Sequence, residues 1–187
     1  MVLEAPARPV VPANPYGDPC RPFTIEDWWT MPDDGNRYEF LDGVLIVMPS
    51  PSFEHQRVTL RIAAALLGFA DKNGGDAFVA PLGVALSEEH GFQPDAGYIS
   101  AERGSTIVER GIEGAPDLVV EVASPSTSRY DRRTKLPAYF DAGVREVWLV
   151  DPEARTVTVA TPSGEAAVAF GAPIPSGIVE IGAAELE

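Results

Sequence analysis

One cysteine, Cys20, in 187 residues excludes an intrachain disulfide and any thiolate metal cluster. Histidine is almost as scarce, with only His55 and His90. A Cys/His zinc site is therefore disfavoured, and hard oxygen ligands are left to hold any metal. Positive charge is also short: 14 Lys+Arg stand against 28 Asp+Glu, for a net charge of −14. A nucleic-acid binder working through blanket positive charge is excluded, so phosphate affinity needs a local basic patch or a metal ion. No long apolar run exists. The longest, Ile62–Ala70, contains Gly68 and is far shorter than the roughly 20 residues that span a bilayer. The first fifteen residues carry Glu4 and scattered prolines, not a basic start followed by an apolar stretch, so no secretory signal is expected. The expectation is a soluble cytoplasmic protein.

The chain is 45% hydrophobic and 22% charged, which suits one globular domain with a core. Residues 1–22 hold six prolines and read as an extended arm, because proline fixes φ and removes a donor. Leu186-Glu187, at the end of a 182–187 tail, resembles a cloning scar. Between these lies a run of punctuated elements. Thr24 and Asp27 form a capping box for a short helix whose apolar face is Ile25, Trp28 and Trp29. Arg37–Leu41 and Val44–Met48 read as strands joined by Asp42-Gly43, a strong hairpin signal. Ser52 caps a helix to about Lys72 with Val58, Ile62, Leu66 and Phe69 on one face, and Asn73-Gly74-Gly75 stops it.

Short strands are expected at Phe78–Ala80, Gly83–Leu86 and Pro94–Ile99, then a fully buried one at Asp117–Ala123. A helix over 131–142 closed by Gly143 precedes strands at Glu146–Val150 and Arg155–Ala160. That order predicts an α/β sandwich with a mixed sheet. Trp28, Trp29 and Trp148 lie on apolar faces and are assigned to the core. The polar connection Gly104–Gly114, with Arg103 and Arg110 beside it, reads as a substrate-facing flap.

Chemistry concentrates in three places. Alternation puts Asp117, Val119 and Glu121 on one side of their strand. Glu121 is then a carboxylate within an apolar strand, which costs several kcal/mol unless a cation answers it. An arginine salt bridge and a bound cation are equally good answers. Asp95, after Pro94, starts another strand, and two carboxylates at matching depth would repel unless they shared a divalent ion such as Mg²⁺ or Mn²⁺. The third place is SRYDRRTKLPAYF, where Arg129, Arg132, Arg133 and Lys135 fall within seven positions beside one acid, Asp131. As a helix it sets Asp131, Lys135 and Tyr139 on one face, with Leu136, Phe140 and Val144 toward the core. In so acidic a chain this basic run reads as a phosphate-facing patch.

Three segments together, RYEFLDGVLIVMPSPSFEHQRV, QPDAGYIS and GAPDLVVEVASPSTSRYDRRTKLPAYFDAGVREVWLVDP, resemble the "putative restriction endonuclease" family of the PD-(D/E)XK nuclease superfamily. The resemblance covers roughly residues 23–160, with several motifs in the right order. It implies a restriction-endonuclease-like fold, a mixed central β-sheet flanked by α-helices, for a domain over 23–181. Asp95 matches the motif aspartate and Glu121 the motif glutamate. The usual E-x-K lysine would stand at position 123, where this chain has Ala123, and Lys135 matches the helix-borne lysine of this family. Glu39 resembles a further acid that completes the metal site with Asp95 and Glu121. His55 and Gln56 also match the family pattern, with no role fixed. Pro137 departs from it and requires Lys135 to lie in or before the first helical turn.

The implied activity is Mg²⁺- or Mn²⁺-dependent hydrolysis of DNA phosphodiester bonds, with Asp95, Glu121 and Lys135 catalytic. Arg129, Arg132, Arg133 and Gln56 are the candidate substrate contacts. Homodimerisation is expected by analogy with nucleases that cut both strands. The competing reading is a non-catalytic module that binds nucleic acid or protein on a nuclease scaffold, and the charge of −14 favours it.

Overall fold

The computed structural model describes residues 9–10, 23–31, 34–124 and 128–181, and for Pro9, Val10 and Arg129 it describes the backbone alone. Most of the proline-rich arm, with Cys20, and the tail with Leu186-Glu187 lie outside the described residues. Within the arm, Pro9–Val10 forms a two-residue strand, β1.

Local chemistry explains the first elements. The Thr24 hydroxyl accepts from the Asp27 N–H while the Asp27 carboxylate accepts from the Thr24 N–H, a reciprocal cap on helix α1 (Ile25–Trp29). Strands β2 (Arg37–Leu41) and β3 (Val44–Met48) form the expected hairpin. Its turn residues Asp42 and Gly43 take φ of 50° and 78°, which tight hairpin turns demand and Asp-Gly tolerates. β1 pairs antiparallel with β3. Ser52 accepts from the His55 N–H to start helix α2 (Phe53–Asn73), and Gly74, at φ 85°, ends it.

Next come β4 (Asp76–Val79), β5 (Val84–Ala85), β6 (His90–Phe92) and β7 (Ala96–Ile99). A 3₁₀ segment over Ala101–Thr106 leads into β8 (Ile107–Val108), β9 (Gly111–Glu113) and the buried β10 (Leu118–Val122). The helical stretch that follows is α3 (Ser128–Tyr130), a π turn over Asp131–Lys135 and α4 (Leu136–Asp141). Strands β11 (Glu146–Asp151), β12 (Thr156–Thr161) and β13 (Gly164–Ala169) complete the described elements.

The strands divide between two mixed sheets. Six run in the order β13-β12-β11-β10-β7-β4, with β10 and β11 parallel and the other pairs antiparallel. Seven form β1-β3-β2-β6-β5-β9-β8. The expected mixed sheet is therefore present, and the short strands β6, β8 and β9, too brief to show periodicity, help build a second one. On one face of the six-stranded sheet, Val58, Ile62, Leu66 and Ala70 of α2 pack on Leu118, Val120 and Val122. On the other, Val119 and Val147 meet Leu136, Ala138 and Tyr139. Trp28 and Trp148 are buried as expected. Among the described residues no helix is long and apolar enough to cross a membrane.

The Gly104–Gly114 connection is tied down and does not face the cleft described below. Arg103 donates to the carbonyls of Ala115, Pro116 and Gly143, and Arg110 pairs with Glu26 and Glu113. Its anchor is Asp117, buried just ahead of β10. One carboxylate oxygen accepts from the Ser100 N–H at 2.8 Å, and the other faces Arg145 at 3.1 Å and Arg103 at 3.4 Å. Burial pushes this carboxyl up, but Ser100, Arg145 and Arg103 together hold it below the usual carboxylate range. A lowered folded-state value means the stabilisation is complete above the ordinary range and is lost as pH falls through the depressed value. Asp117→Asn is expected to destabilise the fold by about 2 kcal/mol at neutral pH. Denaturant midpoints measured along an acid series should show that gap narrowing as pH falls.

Candidate active site

Five elements meet at a cleft of about 630 Å³ whose lining also includes Met48 to Ser52 and Asp151 to Glu153. β2 presents Glu39, the residue before β7 is Asp95, β10 presents Glu121, the first turn of α2 carries His55, and the π turn carries Lys135. Glu121 points to the α4 side of its sheet because it alternates with Val120 and Val122, which face α2.

Lys135 is 1% exposed, yet its ammonium is well answered. Nζ lies 2.7 Å from Glu39 Oε1, 2.6 Å from Glu121 Oε1 and 3.8 Å from Asp131 Oδ1. The Phe92 ring lies 5.4 Å away, within cation–π range. Tyr139, also buried, donates its hydroxyl to Glu121 Oε1 at 2.5 Å. Burial works against the charged form of Lys135, but Glu121, Glu39, Tyr139 and Asp131 outweigh it and raise its pKa well above the usual lysine value. Burial pushes Glu121 up to about 8 against the pull of Lys135, with Asp131, Asp95 and Glu39 adding like-charge repulsion. Lys135 is thus an ammonium at neutral pH, and the cluster resists a full set of carboxylate charges.

Lys135 reaches this position through a local irregularity. The Leu136 N–H bonds to the Asp131 carbonyl, five residues back, which widens the helix by one residue just ahead of Pro137. A proline in a regular helix would clash with the preceding turn. Here α4 begins at Leu136, so Pro137 sits in its first turn, where a missing N–H does little harm.

Asp95 is held separately. Oδ2 accepts from the Val122 N–H at 2.9 Å and lies 3.1 Å from His55 Nε2, while Oδ1 lies 3.4 Å from Arg37. Arg37 in turn donates to the Gln93 carbonyl at 2.6 Å. Burial alone would raise Asp95, yet His55, Arg37 and the Val122 N–H hold it below the usual carboxylate range. The repulsion expected between Asp95 and Glu121 is therefore met on the Asp95 side by the protein's own donors.

The donor set fits a hard cation in kind. Buried Glu39, Asp95, Glu121 and Asp131 surround two permanent cations, Lys135 and Arg37, and Glu39 Oε2 is buried without a hydrogen-bond partner. Among the described residues no three His, Cys, Asp or Glu side chains gather as a complete metal cage. Mg²⁺ does not require one, since it keeps several waters and is commonly held by one or two carboxylates. Asp95, Glu121 and the Val122 carbonyl are the groups that would hold it, with Glu39 adjacent.

The remaining candidates fall elsewhere. Gln56 and Arg133 are exposed, and Arg132 pairs with Glu165 of β13 at 2.7 Å. None of the three lines the cleft, and the Arg129 side chain lies outside the described residues. One contributor escaped the sequence reading although it had a signal: Arg37 shares the strand face of Glu39 two residues on. Tyr139 lies on the face of Lys135 as expected, and its hydroxyl meets Glu121.

An aspartate just ahead of β7 and a glutamate on the neighbouring strand β10, with a lysine from the following helical stretch, thus line one cleft. Residues 25–172 match the family described as "Putative restriction endonuclease" (Uma2), and the chain belongs to that family. Among solved structures it is similar to a protein from Anabaena variabilis ATCC 29413 described as a "putative nuclease belonging to DUF820". The two share 20% identity with a TM-score of 0.74, over 88% of this chain and 97% of that one. No curated protein matches the chain.

The energetic role of Lys135 is open to a direct check. Lys135→Met leaves two buried carboxylates facing each other and should cost about 3 kcal/mol of stability without added metal. Glu39→Gln in the same chain should recover part of that loss. Equal denaturation curves for Lys135→Met and wild type would show that the ion pairs contribute nothing.

Proposed function

We propose that this protein is a divalent-metal-dependent endonuclease that hydrolyses phosphodiester bonds of DNA. The observation that carries the reading is the buried Lys135 ammonium held by Glu121 and Glu39 in the cleft that Asp95 also lines. Asp95 and Glu121, with the Val122 carbonyl, would hold Mg²⁺ or Mn²⁺. When bound, that ion supplies a Lewis acid for the phosphoryl oxygen and acidifies a coordinated water.

The protein's own groups do the rest. His55, Arg37 and the Val122 N–H fix the Asp95 carboxylate and keep it ionised. Tyr139 orients Glu121 from behind. Lys135, charged at neutral pH, orients the attacking water and neutralises charge that grows on the phosphate oxygens in the transition state. A charged ammonium is a poor proton acceptor, so it is not the first choice of general base. The walls of the cleft carry Glu54, Asp151 and Glu153, and this acidic rim supports the second reading, a non-catalytic module on the same scaffold.

Cleavage of supercoiled and single-stranded DNA at low salt with Mg²⁺ or Mn²⁺ separates the two. Wild type should cut, and both Glu121→Gln and Lys135→Ala should lose at least 100-fold in rate. Both variants should be checked for folding by circular dichroism. Melting of wild type should also rise with added Mg²⁺ or Mn²⁺. Absence of both cutting and metal-dependent stabilisation would establish the scaffold reading.

A further inference from the structure

Helix α2 carries two faces, and only one has a partner among the described residues. His55, Val58, Ile62, Leu66 and Ala70 are buried against the six-stranded sheet. On the opposite side Phe53 is 84% exposed, Leu60 71% and Leu67 54%, and these are three of the five large hydrophobics most exposed among the described residues. Their seven-residue spacing drifts only about 20° per step around a helix, so they form one stripe, and exposed Ala64 lies within it. Apolar side chains repeated this way on a solvent face mark a helix-packing seam.

Gly68 is an independent sign. A glycine inside a helix is destabilising relative to alanine, and here a Cβ would meet nothing within 4 Å. Packing among the described residues therefore gives no reason for the missing side chain. Ala64 and Gly68, one turn apart, make a low spot beside the stripe where another helix can approach closely.

The charges select the occupant. Arg57 and Asp71 are both exposed and lie at equal distances on either side of Ala64. Arg57 pairs only with the half-exposed Glu54, and Asp71 makes no ion pair among the described residues. We propose that this face is the interface of a homodimer, in which α2 packs antiparallel on α2 of a second copy about a two-fold axis at Ala64. Leu60 then lies over the partner's Gly68, and Arg57 faces the partner's Asp71, each contact occurring twice as an isologous interface requires. The stripe is self-complementary, which an unrelated partner would not need. The two clefts end up at opposite ends of the helix pair, with the two His55 residues roughly 27 Å apart along the axis at 1.5 Å per residue. The inference does not depend on the nuclease reading.

Sedimentation equilibrium on the full chain tests it, with circular dichroism and melting to confirm that each exposed-site variant folds. Wild type should be dimeric at micromolar concentration. Leu60→Glu and Gly68→Leu should each weaken the dimer by about 30-fold or more, as central interface positions do. Arg57→Asp and Asp71→Arg should each weaken it several-fold, and the double reversal should restore it. A wild type that stays monomeric at about 100 µM, well above the dissociation constants of specific interfaces, would overturn the proposal. So would a dimer indifferent to Leu60→Glu, or a double reversal no tighter than its single variants.

Discussion

One ammonium group ties the molecule together. Lys135 is buried from the π turn, and its two close carboxylate partners, at 2.7 and 2.6 Å, come from different sheets. Glu39 belongs to the seven-stranded sheet and Glu121 to the six-stranded one, so the ion pairs fix how the two sheets and the helical stretch meet. Burying three charges is unfavourable unless all are paired at close range. That requirement accounts for the surroundings: a widened turn that aims Lys135 inward, a tyrosine behind Glu121, and the Phe92 ring against the ammonium.

Asp95 obeys the same physics through other donors. Its partners are a backbone N–H of β10, a histidine from the first turn of α2 and an arginine from β2, so three elements converge on one carboxylate. The cleft combines two carboxylates whose surroundings shift them in opposite directions. Asp95 is ionised and rigidly held, whereas Glu121 is pushed up by burial and by like charges. Environments that drive neighbouring acids apart are characteristic of sites that handle charge.

The excess of acid over base is managed locally. Arg103, Arg110, Arg132 and Arg145 all serve internal pairs or carbonyls. They hold loops and edges in place, and the net charge of −14 opposes long-range attraction of a polyanion. Among the described residues, positive charge in the cleft itself comes from Lys135 and Arg37, and both are committed to carboxylates.

By itself the sequence determined whatever depends on neighbours along the chain. The Thr24 and Ser52 caps, the Asp42-Gly43 turn, the stop at Gly74 and the inward set of α2 follow from hydrogen bonding, positive φ and a 3.6-residue period. Alternation along DLVVEV placed Glu121 on the side opposite Val120, and the spacing of Asp131, Lys135 and Tyr139 placed them on one face. The family motifs named Asp95, Glu121, Lys135 and Glu39. Tertiary structure alone decided which of these touch. Glu39 lies 96 residues from Lys135 along the chain, and His55, Arg37 and Asp95 come from three separate elements, so no local period relates them. The basic run shows the same limit: its local charge pattern suggested one patch, but Lys135 turned into the core while Arg132 turned out to Glu165. A helical period says which residues share a face, and only packing says what that face meets.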